Sequence, residues 1–341
     1  MNLSNFARGP ASARLLFDFG SERGLSSAKL LAGSNLSQAQ LADPNVQLTA
    51  SQELHVAKNL LRLLNFPDGL GLQVGLRYHF STFGMWGYGL ISSATTGEAI
   101  DRALRYLPLT SAFTTVTYHE EEDLAVLSFD EPKFEPELRR FLTEREIVAA
   151  AVLLHEMAGT GFSLTHFTLK YDDSRSPEVA QAIGRAFQVI PEYRSKQNSL
   201  VFRREFLARR LPQANPINAS MCEQMCGQLL ERRRAQAGAT ALVRQYLVAA
   251  PSSQLPDLET MARVTNISPR TLKRRLQDEG TTFRTLLAEY RAALAKELIN
   301  DGKLTLTEVA ARLGFSDLSS FSQAFKRWYG VPPSAFRHES A

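Results

Sequence analysis

The chain has 341 residues, 22% of them charged, and a formal net charge of +4 at pH 7. That length is enough for two domains with sizeable cores. The two cysteines exclude a disulfide framework, and no apolar run is long enough to span a membrane. Since no signal-peptide pattern follows Met1, we expect a cytoplasmic protein without a membrane partner.

The excess positive charge lies in the C-terminal third of the chain. Residues 236–341 contain 14 Lys and Arg against 10 Asp and Glu, whereas residues 1–235 contain 25 of each. A basic segment of this kind suits electrostatic capture of nucleic acid. The large neutral part argues against a nucleoid-type protein that binds DNA without a ligand.

The N-terminal two-thirds predict an α+β domain over residues 25–210, with interleaved helices and a mostly antiparallel sheet. Residues 1–24 show no clear periodicity and are expected to be partly disordered. Helices are predicted over 49–64, 83–92, 96–106, 138–157 and 177–187. Strands are predicted over 112–119, 124–129, 162–171 and 199–202, the first two as a hairpin.

Residues 75–88 combine six aromatic or His side chains with three glycines. A stretch of this composition can line an apolar ligand pocket with a few polar contacts. The candidate pocket residues are Tyr78, His79, Trp86 and Tyr88, while Arg77 and Arg105 could meet a ligand carboxylate. In the alternative interpretation, the aromatic rings fill the core and the two arginines form ion pairs.

The sequence does not favour an enzyme. Gly69, Gly71 and Gly75 have the spacing GxGxxxG instead of GxGxxG, and no strand is predicted before them. No hydrolase or metalloprotease motif occurs, so neither a catalytic residue nor a cofactor is expected.

Residues 211–237 predict a linker helix that carries Met221, Met225, Leu229 and Leu230. Cys222 and Cys226 are four residues apart on it and share one face. They could begin a thiol or metal sensor, but no neighbouring His or Cys completes a metal site. We therefore expect no metal and two buried thiols that face the first domain.

Near the C-terminus, residues 261–276 and 309–326 each predict a helix, a tight turn and a second helix. Ala262 and Ala310 occupy the point where two helices must cross closely. Asn266 and Gly314 stand in the turn, where both residue types tolerate a left-handed backbone. This motif places its second helix in the DNA major groove, so double-stranded DNA is the expected partner.

The second helix of each copy begins with a serine cap, at Ser268 and at Ser316. Apolar residues four apart then mark the buried face, as Leu272 with Leu276 and as Phe321 with Phe325. The second copy has one extra residue between its cap and its first buried aromatic residue. A central helix from Phe283 to about Asp301–Gly302 joins the copies and spans roughly 30 Å. One chain could therefore read two adjacent major-groove segments, about 34 Å apart.

The two copies, and the tail from Gly314-Phe315-Ser316 through Gly330-Val331-Pro332-Pro333-Ser334 to Phe336-Arg337, closely resemble the DNA-binding domain of the AraC/XylS family of bacterial transcription regulators. The resemblance implies an all-α domain over 238–341, with two helix-turn-helix motifs joined by a central helix. It also implies base contacts from the exposed faces of both second helices, at Arg270, Thr271, Lys273, Arg274, Leu318, Ser319, Ser320 and Gln323. One departure is Thr265, which stands where a buried Leu is usual.

The chemistry of these side chains agrees with the resemblance. Arg can pair with two atoms of guanine, and Gln with two atoms of adenine. Arg275, Lys326 and Arg327 are better placed for phosphates, which position a protein without reading sequence.

The first domain resembles the arabinose-binding-type sensor domain of one AraC subgroup over about Leu25 to Arg204. The resemblance implies a DNA-binding regulator controlled by a small-molecule effector, which acts as a homodimer and works with RNA polymerase. Activation is the family's usual outcome, with repression as the alternative. The identity of the effector is not implied.

Overall fold

The computed structural model describes residues 8–159, 161–172, 177–236, 238–249, 255–265, 267–301 and 304–339. The chain divides into two compact units, an N-terminal unit that ends at Arg233 and a C-terminal unit from Arg234 onward. The N-terminal unit combines helices with a small antiparallel sheet, and the C-terminal unit is helical, as the sequence predicts.

The N-terminal unit begins with four helices, which are α1 (Ala11–Ser21), α2 (Ser27–Leu30), α3 (Gln38–Ala42) and α4 (Ala50–Leu63). Their apolar side chains share one core with part of a later, longer helix. The expected disorder of residues 1–24 is wrong for the segment 11–21, because α1 buries Leu16, Phe17 and Phe19 in that core. Residues 1–7 lie outside the described part of the chain.

Three further helices follow, α5 (Leu70–Gly75), α6 (Gly84–Ile91) and α7 (Thr96–Arg105). Short 3₁₀ turns over Phe80–Phe83 and Leu107–Leu109 flank α6 and α7. Thr95 caps α7 by accepting the backbone N–H of Glu98.

The sheet contains four strands, β1 (Thr115–Glu121), β2 (Leu124–Asp130), β3 (Leu164–Thr168) and β4 (Ser199–Arg203), in the order β1-β2-β4-β3. All three pairs are antiparallel, and Glu121 pairs with Leu124 across a two-residue turn, so the predicted hairpin is confirmed. Helix α8 (Pro136–Ala158) packs on β2 and β4, and α9 (Pro177–Phe187) packs against α8.

Helix α10 (Pro216–Gln236) closes the N-terminal unit and corresponds to the predicted linker helix. It begins after Asn215, whose side-chain oxygen accepts the backbone N–H groups of Ile217 and Asn218 at 3.1 Å. Residues 211–215 precede it as non-helical chain.

The C-terminal unit contains seven helices within its described residues, α11 (Gly238–Ala249), α12 (Leu258–Val264), α13 (Pro269–Asp278), α14 (Phe283–Asp301), α15 (Leu306–Arg312), α16 (Leu318–Tyr329) and α17 (Pro333–Glu339). They form two small cores. Leu286 of α14 belongs to the core of α11–α13, whereas Ala295 and Ile299 of α14 belong to the core of α15–α17. The central helix therefore holds both helix-turn-helix motifs in one compact unit.

Candidate nucleic-acid interface and ligand pocket

The first motif consists of α12 and α13. Ser268 caps α13 by accepting the backbone N–H of Thr271 at 3.2 Å, and Pro269 occupies the first helical position. Leu272 and Leu276 are fully buried. This cap and buried pair are as the sequence predicts, and they leave the opposite face of α13 exposed to solvent.

The turn of the first motif contains the departure from the family pattern. The Thr265 hydroxyl donates to the backbone carbonyls of Met261 at 2.7 Å and Ala262 at 3.1 Å. Because its polar atom is satisfied by the end of α12, Thr265 replaces a buried Leu without leaving an unpaired hydroxyl. Asn266, predicted to take the left-handed position, lies outside the described residues.

The second motif consists of α15 and α16. Gly314 adopts a φ of +76° in the turn, and Phe315 packs against Phe321 with ring centroids 5.6 Å apart. The prediction that Ser316 caps α16 is wrong. Asp317 is the cap, since its carboxylate accepts the Ser320 backbone N–H at 2.7 Å, while the Ser316 hydroxyl donates to Asp317 at 2.9 Å. A carboxylate is the stronger acceptor at a helix N-terminus.

With Asp317 as the cap of α16, the second helices of the two motifs have the same register. Four residues separate Ser268 from Leu272, and four separate Asp317 from Phe321. The extra residue of the second copy therefore lies in the turn and not in the helix. Arg274 and Gln323 then hold equivalent positions on α13 and α16.

The predicted DNA-contact residues lie on the solvent side of the two helices. Thr271 is partly exposed, and the others are exposed, namely Arg270, Lys273, Arg274, Arg275, Leu318, Ser319, Ser320, Gln323, Lys326 and Arg327. Two of these residues, Thr271 and Ser320, have hydroxyl groups that form hydrogen bonds with the helix caps. Ser268 donates to Thr271 Oγ1 at 2.8 Å, and Ser320 donates to Asp317 at 2.9 Å.

The two exposed faces differ in charge. Helix α13 presents Arg270, Lys273 and Arg274, none of which forms an ion pair within the described part of the chain. The corresponding part of α16 presents the neutral Ser319 and Gln323. Unpaired cations on an exposed helix face are available to phosphates and guanine bases, whereas Gln can discriminate bases without adding charge.

The N-terminal unit contains a pocket of about 110 Å³ between α6, α7, α8 and the β1–β2 hairpin. Its wall is almost entirely apolar. The lining side chains include Phe83, Trp86, Leu90, Ile100, Leu104, Val116, Leu127, Phe129, Leu153 and Met157. The polar lining comes from Thr110, Ser111, Thr114, Arg145, Glu146 and the Tyr78 hydroxyl.

Of the four candidate pocket residues and the two candidate arginines, the structure brings only Tyr78 and Trp86 to this wall. Arg77 instead forms an ion pair with Glu22 at 2.6 Å, and His79 pairs with Glu156. Tyr88 is exposed, and its hydroxyl accepts the Asn218 side-chain N–H at 2.8 Å. None of these three side chains lines this pocket, and the ion pair of Arg77 agrees with the alternative prediction for that residue.

Sequence reasoning missed the buried charges at the pocket. Arg145 donates to Glu53 at 3.1 Å and to Glu146 at 2.8 Å. Glu146 also accepts the backbone N–H groups of Phe113 and Thr114 at 2.7–3.0 Å. The sequence gives little signal for them, because α8 also carries Glu137, Arg139, Arg140 and Glu144, and nothing local marks Arg145 and Glu146 as the buried pair. Buried charges occur only where partners satisfy them, and these partners come from distant parts of the chain.

One helix joins the pocket to the linker helix. Ile100 and Leu104 of α7 line the pocket, whereas Arg102 and Arg105 leave α7 on another side and meet Glu223 of α10. The distances from Arg102 Nε and Arg105 to the Glu223 carboxylate are 2.7 and 2.8 Å. Tyr106 donates its hydroxyl to the same carboxylate at 2.8 Å. The alternative prediction for Arg105, an ion pair, is confirmed.

Cys222 and Cys226 are buried free thiols on the face of α10 that packs on the N-terminal unit. Cys226 belongs to the same core as Trp86. Burial raises the pKa of Cys226 to about 11. The prediction of two buried residues is confirmed, and thiols of this kind are poor nucleophiles at neutral pH because little thiolate is present.

Within the described residues, no helix has the length and hydropathy that a membrane crossing needs. Over the same ranges, no group of three or more His, Cys, Asp or Glu side chains is arranged to hold a metal ion.

Comparison with known proteins finds one family match within each unit. The family described as "Arabinose-binding domain of AraC transcription regulator, N-term" matches residues 24–211, and a helix-turn-helix domain family matches residues 261–339. A helix-turn-helix-type transcriptional regulator of Mycobacterium tuberculosis is 34% identical over 332 residues, which cover 95% of this chain and 94% of that one.

The ornithine utilization regulator of Pseudomonas aeruginosa is 32% identical over 336 residues, covering 96% of this chain and 95% of that one. A solved structure, the transcriptional regulator CdpR of P. aeruginosa, has a TM-score of 0.47 and 22% identity, covering 95% of this chain and 97% of that one. These domains and relatives are those of regulators and not of enzymes. The chain belongs to the AraC family of DNA-binding transcription regulators, with an arabinose-binding-type N-terminal domain and a C-terminal helix-turn-helix domain.

Proposed function

We propose that this regulator reads its operator with α13 and α16 in two adjacent major-groove segments. We further propose that a small molecule in the N-terminal pocket controls this binding. The observation that carries the proposal is the pair of solvent-facing recognition helices, equivalent in cap and register, which α14 holds in one compact unit. At about 1.5 Å per residue, the 19 residues of α14 span roughly 28 Å, which is close to one turn of DNA.

Base contacts divide between the two helices according to their chemistry. Arg270 and Arg274 suit guanine, with Lys273 beside them, and Gln323 suits adenine. Leu318, 38% exposed at the start of α16, suits a thymine methyl group. Thr271, Ser319 and Ser320 add hydroxyl groups near the caps. The cationic face of α13 then contributes more of the affinity, and the neutral face of α16 contributes mainly sequence discrimination.

Phosphate contacts come from Arg275, Lys326 and Arg327, which are exposed toward the ends of the same helices. Such contacts position the protein on the duplex and carry no sequence information. Each neutralised phosphate releases counterions, so these residues should set the salt dependence of binding.

Effector control would use α7 as the connection between the pocket and α10. A ligand that contacts Ile100 and Leu104 acts on the helix that also holds Glu223 through Arg102 and Arg105. Binding would shift the population of α10 arrangements and thereby the arrangement that suits the operator. The expected outcome is activation through RNA polymerase in the cytoplasm, by a homodimer.

The first test is footprinting of the purified full-length protein on the intergenic DNA upstream of its own gene, against random competitor DNA. We expect a protected site that covers two adjacent major-groove segments per protomer. Protection no stronger than on random DNA, over a range of salt concentrations, would contradict operator recognition at that locus, and a genome-wide binding map would then replace the local assay.

The second test separates base contacts from phosphate contacts. Arg274→Ala and Gln323→Ala should each weaken operator binding by about 1–3 kcal/mol and reduce the preference over random DNA. Lys326→Ala should weaken binding to both DNAs equally and lower the slope of log K against log salt by about 0.9. Lys296→Ala, which removes an exposed cation from α14, is the matched control and should change neither quantity. Equal losses on operator and random DNA for Arg274→Ala and Gln323→Ala would contradict base reading.

A further inference from the structure

Helix α10 carries four sulfur-containing side chains within six residues, as two successive Met-Cys pairs at 221–222 and 225–226. Neighbouring residues leave an α-helix about 100° apart, so the two members of each pair lie on different sides of it. Both cysteines are buried, with exposed fractions of 0% and 2%, whereas Met221 and Met225 are 47% and 41% exposed. The thiols therefore pack on the N-terminal unit, and the thioethers face solvent.

An oxidant should react with the two thioethers before the two thiols. Cysteine is oxidised as its thiolate and must be accessible to the oxidant. Burial raises the pKa of Cys222 and raises that of Cys226 to about 11, so both thiols stay protonated at neutral pH. A thioether has no proton to lose, and access of the oxidant decides its reaction.

The same comparison distinguishes this pair from the other methionines. Met85 is partly buried, and Met157 and Met261 are buried. Within the residues that the structure describes, Met221 and Met225 are thus the most exposed methionines, and they are four residues apart on one face of α10. The buried methionines provide an internal reference for the rate of oxidation.

The two thioethers lie in the middle of an exposed apolar stripe on α10, which Ile217 and Leu229 continue on either side. Between residues 216 and 230 the only charged residue is Glu223, whose carboxylate is held by two arginines of α7. A second copy of the stripe can therefore pack against the first without bringing like charges together. A self-complementary contact of this kind is what a two-fold symmetric dimer uses.

Oxidation by a peroxide would make the centre of this stripe polar. A lone pair on the thioether Sδ attacks one peroxide oxygen, so that an S–O bond forms while the O–O bond breaks. The proton on the transferred oxygen passes to the departing hydroxide, which leaves as water. The thioether loses two electrons and becomes a sulfoxide, and the peroxide gains them. Because a sulfoxide oxygen accepts hydrogen bonds from water, burying it in an apolar contact is costly.

We propose that Met221 and Met225 are sites of reversible oxidation by hydrogen peroxide, and that methionine sulfoxide at these positions separates two copies of this chain. The inference rests on the proposed homodimer. It assigns to α10 a response to peroxide that is independent of the ligand pocket and of the thiols. Methionine sulfoxide reductases return the side chain to the thioether, which makes the response reversible.

Treatment of the full-length protein with hydrogen peroxide, stopped with catalase, tests both parts of the proposal. Peptide mass spectrometry should find sulfoxide at Met221 and Met225 before it appears at Met157 and Met261. In sedimentation velocity over a concentration series, the dissociation constant of the dimer should rise at least about a hundredfold, because the new sulfoxide oxygens lose their hydrogen bonds to water on association. Methionine sulfoxide reductases with dithiothreitol should restore the starting value.

Four variants assign the response to the thioethers of the stripe. In Met221→Leu/Met225→Leu the stripe stays apolar without sulfur, so peroxide should not change the dissociation constant, whatever its starting value. Met221→Gln/Met225→Gln carries a polar oxygen at both positions and should be monomeric without peroxide. Cys222→Ala/Cys226→Ala and Met85→Leu keep both thioethers of the stripe and should respond to peroxide as the native chain does. The leucine and glutamine changes lie on an exposed face, so the test stands even if the cysteine variant fails to fold.

Several results would overturn the inference. These are oxidation of Met157 or Met261 before Met221 and Met225, sulfoxide at both positions with an unchanged dissociation constant, and a peroxide response that persists in the leucine variant or disappears in the cysteine variant. A native protein that is monomeric at every concentration contradicts the homodimer and this inference with it. A native dimer that peroxide does not separate contradicts the inference alone, and the homodimer stands.

Discussion

Gly71 and Gly75 allow α5 to cross α8 at close range. A Cβ atom on Gly71 would lie 2.4 Å from the Phe141 carbonyl oxygen, and one on Gly75 would lie 2.6 Å from the Arg145 carbonyl oxygen. Both atoms belong to the backbone of α8, which cannot move aside as a side chain can. The glycine spacing that superficially suggests a nucleotide loop therefore serves helix packing, and it holds Arg145 in place behind the pocket.

Gly71→Ala should destabilise the N-terminal unit by about 1–3 kcal/mol, because the new methyl group overpacks the α5–α8 contact. Gly184→Ala is the matched control, since its Cβ would lie 3.6 Å from Ile190, an ordinary contact. There the higher helix propensity of Ala should stabilise by about 0.5–1 kcal/mol. Thermal and urea unfolding of both variants, followed by circular dichroism, measures the difference. A neutral Gly71→Ala would show that the crossing is looser than these distances imply.

Glu279 caps a helix other than its own. Its carboxylate accepts the backbone N–H of Ala239 at 2.6 Å and that of Thr240 at 2.8 Å, at the first turn of α11. Burial acts to raise the pKa of Glu279, but the hydrogen bonds from Thr240 and Ala239 outweigh it, and the pKa lies below its ordinary value of 4.5. The charged form is therefore the one that the folded state favours.

Glu279→Gln should weaken the attachment of α11 by about 0.5–1 kcal/mol at pH 7, because the charge at the helix N-terminus is lost. A pKa lowered by folding gives stability that is present above 4.5 and disappears as the pH falls through the lowered value. Hydrogen exchange of residues 238–249, compared between variant and native protein at each pH, should therefore differ at pH 7 and converge in acid. Asp278→Asn, which removes a neighbouring charge that accepts no α11 N–H, is the control. A difference that persists in acid would contradict the capping role.

At the scale of helices and strands, the sequence predicts those boundaries that depend on residues close together in the chain. Helix α4 starts where the Thr49 cap indicates, and α9 has the predicted bounds, because caps and apolar periodicity are encoded within a few residues. Helix α1 is not predicted because its polar face is short, consisting of Arg14 and Asp18 within an otherwise apolar run, and its stability comes from burial against α4. That burial is a tertiary effect.

The pocket shows even more clearly that local sequence patterns do not predict tertiary packing. Its aromatic side, with Tyr78 and Trp86, is visible in one short stretch of sequence, yet Arg77, His79 and Tyr88 from that stretch point elsewhere. Most of the rest of the wall comes from α7, α8, the hairpin and the segment before it, 14 to 71 residues after Trp86 along the chain. Which residues of a local cluster face a pocket depends on how distant elements pack, and one sequence does not encode that visibly.

The attachment of Glu223 to α7 makes a prediction about α10. Glu223→Ala leaves Arg102, Arg105 and Tyr106 without their common acceptor. Hydrogen bonds to a charged group are worth about 1.5–3 kcal/mol where they are partly buried, as for Arg102, whereas the exposed Arg105 adds at most about 1 kcal/mol. Hydrogen exchange of residues 216–232 should therefore be at least tenfold faster in the variant. The exposed neighbour Gln224→Ala should leave exchange near the native rate. Unchanged exchange in Glu223→Ala would mean that the buried cysteine face alone holds α10, and α7 could not transmit ligand binding to it.

At the scale of the whole molecule, α10 presents two apolar faces. One face packs Cys222, Cys226 and Leu230 into the N-terminal unit. The other face is exposed to solvent and carries four large apolar side chains at spacings of four residues, Ile217, Met221, Met225 and Leu229, with exposed fractions of 80%, 47%, 41% and 43%. Residues four apart lie nearly above one another on a helix, so these side chains form a continuous stripe. A stripe of this kind is typical of an interaction surface, and it supports the proposed homodimer.

If the stripe joins two protomers, a charge at its centre should separate them. Met221→Lys places an ammonium group where the partner's apolar side chains would pack, and desolvating it without a partner is costly. We expect sedimentation velocity to show a dimer for the native protein and a monomer for Met221→Lys at the same micromolar concentration. Ile190→Lys is the matched control, because Ile190 is 68% exposed and lies beside Gly184 of α9, and it should stay dimeric. A monomeric protomer still holds both recognition helices in one unit, so Met221→Lys should protect one pair of major-groove segments where the native dimer protects two. A dimeric Met221→Lys protein would instead place the homodimer contact on another surface and leave the stripe without that role.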